Sequence, residues 1–213
     1  MILGYAPAKS VSRYVALLEA TTVFAMIVLY IWRWRHPHPL SWAIILGLVL
    51  VSHVVHGETP TSLGFRLANL KSAMRVFAAA VLPLALALIA LGTVSGTVRR
   101  VSLESGLSSL ALYCFWGLFQ QYLLNGYFVK RFVEISPARA PMMAALSFSA
   151  IHAPNWFLMI VSLAGGFVCA KVYLRFRNLY VLGLAHGVIG FLLYLCVPDT
   201  ISHHLYVGPK WFS

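Results

Sequence analysis

Seven polar side chains interrupt otherwise apolar stretches: Gln120 and Gln121 followed by Asn125, His152 followed by Asn155, His186, and Glu19. An imidazole titrates near pH 6.5, so a histidine at such a place can take or give a proton. A carboxamide has no titration near neutrality and contributes hydrogen bonds alone. Gln121 and Asn125, four residues apart, share one face of a helix, and His152 and Asn155 do the same at a spacing of three if one helix carries both. Counted at about 1.5 Å per residue from one end of their runs, Glu19 and His186 lie about 10–12 Å deep, Gln120 and Gln121 about 13–15 Å, and His152 nearer 20 Å. Taken singly, a Gln or Asn at such a depth is hydrogen-bonding glue between helices. Two histidines and adjacent glutamines on three different helices favour one buried polar pocket, which Glu19 could join from a fourth. The simpler role for Glu19 is to snorkel to the membrane face or to pair with Arg13.

The elements that must hold these groups follow from composition. The chain has 213 residues, 61% hydrophobic and 10% charged, with five carboxylates against sixteen Lys and Arg and a net charge of +11. Ordinary soluble domains carry about 25% charged residues, so a soluble globular domain is excluded, and the hydrophobicity excludes disorder. The cations fall in pairs and triplets between apolar runs, the pattern of membrane loops and not of a nucleic-acid surface. The expected fold is an all-α, polytopic transmembrane helix bundle in one integral-membrane domain, 1–213. Seven stretches approach the length needed to span a bilayer: 12–33, 40–56, 73–94, 107–129, 140–157, 158–175 and 179–197. A tight reversal is expected at His152-Ala153-Pro154-Asn155. Thr59–Leu70, with Ser62-Leu63-Gly64-Phe65-Arg66, reads as an interfacial segment. The first apolar run, Val11 to Trp32, is too long for a signal-peptide core. Eleven of the sixteen Lys and Arg fall on the N-terminal side of this arrangement, which predicts a cytoplasmic N-terminus. Cys114, Cys169 and Cys196 follow no metal or redox spacing and read as small core residues.

The order of these residues resembles the CAAX-protease and bacteriocin-processing family (CPBP, or Abi) of intramembrane endopeptidases. That family carries a Glu-Glu pair with Arg four residues after the second Glu, then Phe-x-x-x-His, then a second His followed four residues later by Asn or Asp. Phe148-Ser149-Ala150-Ile151-His152 matches the second motif in full, and His186 in Gly183-Leu184-Ala185-His186 stands at the third. Ser62-Leu63-Gly64-Phe65 is similar to a short Leu-Gly segment found upstream of the family's core. The core helices then correspond to 105–197, with 1–104 as accessory spans and interfacial segment. Gln120-Gln121 stand in place of the glutamate pair, Asn125 in place of the arginine, and Gly190 in place of the last amide or acid.

The resemblance implies an intramembrane protease, a hydrolase in which an activated water attacks a peptide carbonyl. A glutamine in the glutamate position orients water without taking its proton. Gln120 and Gln121 are then expected to position water or substrate, and His152 and His186 to act as base or oxyanion stabiliser. Asn125, Asn155 and Glu19 are expected as supporting polar groups. A divalent metal such as zinc would have His152 and His186 as its only evident ligands, short of the three or four such sites use. Ser149, three residues before His152, reads as a packing residue in preference to a nucleophile. The expected partners are the lipid bilayer and a membrane-anchored or membrane-proximal protein or peptide, with no nucleic acid, at the cell membrane. Two other classes fit the residues: a catalytically inactive relative that binds a membrane partner, and a small transporter or channel, for which paired broken helices are missing.

Overall fold

The computed structural model describes residues 12–213; Lys9 and Val11, which enter the charge count and the first apolar run, lie outside the described residues. Every regular element among these residues is helical. Helix α1 (Arg13–Leu29) runs on through a π-helical turn, Tyr30–Trp34, and α2 covers Trp42–Val55. A single turn, α3 (Pro60–Leu63), lies in the expected interfacial segment, and the long α4 (Leu70–Val94) follows. Helix α5 (Leu103–Gln121) continues as a π-helix, Tyr122–Val129, and then as α6 (Lys130–Ile135). Helices α7 (Ala140–Ala150), α8 (Trp156–Phe176) and α9 (Leu179–Cys196) complete the bundle, with the short α10 (Asp199–Ser202) beyond.

Among the described residues, four helical stretches are long and apolar enough to cross a membrane: Arg13–Trp34, Leu70–Val94, Trp156–Phe176 and Leu179–Cys196. Two further apolar helices, Pro39–Val55 and Ala140–Ala150, are shorter, and the second stands at the expected span 140–157. Its helix has 11 residues, since the chain leaves helical geometry after Ala150 and turns through Ile151–Pro154. Eleven residues rise about 16 Å, half a hydrocarbon core. Asn155 fixes the restart, its side chain accepting from Leu158 N as the N-cap of α8. Asn178 caps α9 in the same way through Val181 N. Such caps satisfy amides that the first turn of a helix leaves unpaired.

The buried core is centred on one rod. From Leu124 to Val133 every residue is buried, and Leu124, Tyr127, Phe128 and Phe132 pack against residues of α1, α2, α7, α8 and α9. Apolar side chains dominate this segment, and the polar ones it buries, Asn125, Lys130 and Arg131, must find partners inside the bundle. Two contacts set the geometry near the polar residues. Gly64, at φ +108°, lets the interfacial segment press on the α8–α9 corner, where a Cβ would stand 3.1 Å from Tyr173, Arg177 O and Leu179. Helices α5 and α9 meet through Gly117, Gly183 and Gly187. A Cβ on Gly187 would lie 2.4 Å from Cys114 Cα, and one on Gly117 2.8 Å from Gly183 O. Small residues at a spacing of four allow helix backbones this close approach.

Candidate functional site

The glycine seam places His186 against α5. Asn125 Nδ2 donates to Gln121 Oε1 at 2.5 Å, which leaves Gln121 Nε2 to donate to His186 Nδ1 at 3.0 Å. Gln121 and Asn125 are buried, at 1% and 0% exposure. Asn125 Oδ1 has no hydrogen-bond partner among the described residues, so the site keeps one open acceptor. His152 stands in the turn after α7, and its Nδ1 lies 2.6 Å from Phe148 O. A carbonyl only accepts, so this nitrogen carries the hydrogen. The Phe148 ring packs edge-on against both imidazoles, 4.8 Å from His152 and 5.9 Å from His186 between centroids.

Four of the seven expected residues therefore come together: Gln121, Asn125, His152 and His186. The other three lie apart from them. Gln120 is half-buried and its side chain makes no hydrogen bond among the described residues. Asn155 does not share a helical face with His152, because α7 ends before either; besides capping α8, it donates to Ser202 O and Tyr206 O. It ties the C-terminal segment to the bundle. Glu19 neither joins the pocket nor pairs with Arg13; it accepts from Ser52 Oγ at 2.9 Å and meets His56 Nε2 at 2.8 Å and Arg131 Nε at 3.2 Å. Ser149 donates to Met159 O, joining α7 to α8. At Gly190 a Cβ would stand 3.1 Å from the Tyr113 ring, so an aromatic packs where the resembled family has a polar side chain.

Glu19 belongs to a second polar cluster, centred on Arg131, that the sequence reading did not anticipate. Arg131 is fully buried. Its guanidinium donates to Ser52 Oγ at 2.9 Å, to Glu58 Oε2 at 2.8 Å and to Glu134 Oε1 at 3.4 Å. Lys130 Nζ lies 2.8 Å from Glu58 Oε1. His53 Nδ1 meets Glu58 at 2.5 Å and its Nε2 meets Tyr122 OH at 3.0 Å. His56 bridges Glu19 and Glu134 through its two ring nitrogens. Three of the five carboxylates thus converge here. Burial pushes the Glu58 carboxyl up, but the hydrogen bonds from His53 and Arg131 and the charges of Arg131 and Lys130 outweigh it and hold the group at about 2. For Glu134 burial prevails over His56 and Arg131, and its carboxyl is raised. The available signal was spacing: His53 and His56, like Arg131 and Glu134, stand three apart on a helical face, beside an intramembrane Glu19 in need of a partner.

Among the described residues no three His, Cys, Asp or Glu side chains gather so as to hold a metal ion. At the Gln121–His186 site Nδ1 of each imidazole is already engaged, and two histidines with neutral amides do not fit a zinc centre. No curated protein and no solved structure matches the chain. Residues 102–192, which contain Gln121, Asn125, His152 and His186, match the family model described as type II CAAX prenyl endopeptidase Rce1-like. Over this stretch, with its Phe-x-x-x-His motif and the glycine-seated His186, the chain is similar to the CPBP family.

Proposed function

We propose that this membrane protein hydrolyses a peptide bond in a membrane-anchored or membrane-proximal protein, with His152 as general base and His186 as oxyanion donor. The observation that carries this reading is the opposed hydrogen bonding of the two rings. His152 gives its Nδ1 hydrogen to Phe148 O, so in the neutral ring Nε2 holds a lone pair. His186 accepts at Nδ1 from Gln121, so its neutral ring carries the hydrogen on Nε2. One imidazole offers a base and the other an N–H donor, and general base catalysis is typically worth 10²–10⁴-fold.

In this scheme His152 Nε2 takes a proton from water as the water oxygen bonds to the peptide carbonyl carbon. The carbonyl oxygen becomes an oxyanion and accepts from His186 Nε2–H. His152 then returns the proton to the amide nitrogen as the C–N bond breaks, giving a carboxylic acid and an amine, between which the remaining water proton passes to leave a carboxylate and an ammonium. Gln121 and Asn125 fix the His186 tautomer, and Gln120, with its amide unengaged, holds the water. The topology that accompanies this reading has seven helical rods in the cell membrane and a cytoplasmic N-terminus, supported by the bias of Lys and Arg to one side.

Gln in place of both acids and the Tyr113 ring against Gly190 favour a second reading, a relative that holds a peptide without cutting it. Proteoliposomes carrying the protein and a panel of membrane-anchored peptides separate the two. Cleavage by the wild type that His152→Ala and His186→Ala each abolish supports hydrolysis. Peptide capture that survives both substitutions, with no cleavage by the wild type, selects the binding protein.

A further inference from the structure

The N-terminal end of α4 carries a feature that neither polar cluster uses. An open groove of about 590 Å³ runs along its first turns, walled by Leu67, Leu70, Met74 and Ala78, with Lys71 and Arg75 over it. These two cations stand four residues apart, on one face of the helix. Both are exposed, and among the described residues neither has an ion-pair or hydrogen-bond partner. Three cations elsewhere are matched by acids: Arg131 and Lys130 by Glu58, and Arg99 by Asp199. Helix α4 is itself long and apolar enough to cross a membrane, so its first turn lies where headgroups meet acyl chains. Ala78 is seven residues beyond Lys71, about 10 Å deeper along the helix. The groove therefore changes from cationic to apolar over the distance at which a phospholipid changes from phosphate to hydrocarbon.

We infer that this groove is a binding site for an anionic phospholipid, with the phosphate on Lys71 and Arg75 and an acyl chain along Met74 and Ala78. Charge complementarity selects the headgroup: two unmatched cations suit a phosphodiester that carries no cation of its own, and a choline headgroup would set a third positive charge beside them. An acidic protein segment would satisfy the charges but would leave the apolar wall against lipid unexplained.

The test is lipid retention by the purified full chain in mild detergent, read by native mass spectrometry against phosphatidylglycerol and phosphatidylcholine of equal chain length. Phosphatidylglycerol is expected to be retained at least about 10-fold more strongly, at about 5-fold per basic residue near the phosphate. Lys71→Gln with Arg75→Gln should weaken its binding roughly 30-fold on the same basis and leave phosphatidylcholine unchanged. The swap Lys71→Arg with Arg75→Lys should retain it, and Lys171→Gln with Arg175→Gln, on another helix, should have no effect. Ala78→Trp should weaken phosphatidylglycerol binding with both charges intact. Equal retention of the two lipids, or phosphatidylglycerol binding unmoved by the double Gln variant, would overturn the inference. Displacement of the lipid by millimolar inorganic phosphate would do so too, by reducing the groove to a simple anion site.

Discussion

Tyr122 reaches His53 on one side of the central rod, and Gln121, the residue before it, reaches His186 on another. The two clusters that meet these neighbours are made of different materials. The Arg131 cluster holds three carboxylates, two cations and two histidines, almost all buried. Around Gln121 there is no carboxylate, only amides and imidazoles with one open acceptor. A buried charge is tolerable only when it is matched and hydrogen-bonded, and Arg131 shows how much matching that takes: Glu19, Glu58, Glu134 and Ser52 at once. Groups so fully engaged have little freedom to exchange protons with a substrate. The neutral cluster, with fewer partners per atom, keeps that freedom. In this bundle the acids tie α1, α2 and α6 together, and in the proposed function the neutral groups carry the chemistry.

The comparison makes opposite demands on the two clusters. His152→Ala is expected to lower peptide cleavage by about 10²–10⁴-fold while thermal unfolding in detergent stays near that of the wild type. A variant that loses stability and activity together would erase the contrast. Arg131→Met should do the reverse, destabilising the protein by about 3–5 kcal/mol because three carboxylates lose their cation; activity per folded molecule should survive. Acid should act on the charged cluster through Glu58. The folded chain keeps this carboxyl ionised down to about 2, whereas its ordinary value is 4.5. The unfolded chain therefore takes up the proton first, and stability present above pH 4.5 is lost as the pH falls toward 2. Glu134, raised by burial, contributes in the opposite sense. Unfolding measured across this range should show a shallower acid loss in Glu58→Gln. The smallest effect is expected for Asn125→Ala, which frees Gln121 to rotate and should lower cleavage several-fold through the His186 tautomer, with stability changed by about 1 kcal/mol.

Much of the architecture was legible in the sequence because hydropathy is a local property. The four described helices long and apolar enough to cross a membrane fall on expected spans, and the Gln121–His186 approach rests on glycines visible as Gly183-x-x-x-Gly187. The fate of the polar residues was less legible, since it depends on partners far along the chain. His53 and Glu58 read as the end of a span and a loop acid until Arg131, more than 70 residues later, is brought between them. Asn155 reads as a polar partner of His152 until the helix expected to carry both ends at Ala150, which leaves Asn155 to cap the next one. Glu19 reads as a pocket residue, or as the partner of Arg13, until Ser52, His56 and Arg131 are brought to it from far along the chain.

The π-helix from Tyr122 to Val129 has a consequence for rotational phase. Nine residues of α-helix turn about 900°, which would leave Tyr122 and Arg131 on opposite sides of the rod. Here both reach His53, because the wider winding of the i→i+5 ladder absorbs the missing half turn. Removing one residue between Asn125 and Lys130 would tighten this stretch toward an α-helix, in which eight steps turn about 800°, and swing Gln121 by about 80° relative to Arg131. Every side chain in both clusters would still be present, yet the angle that lets one rod serve them both would be gone.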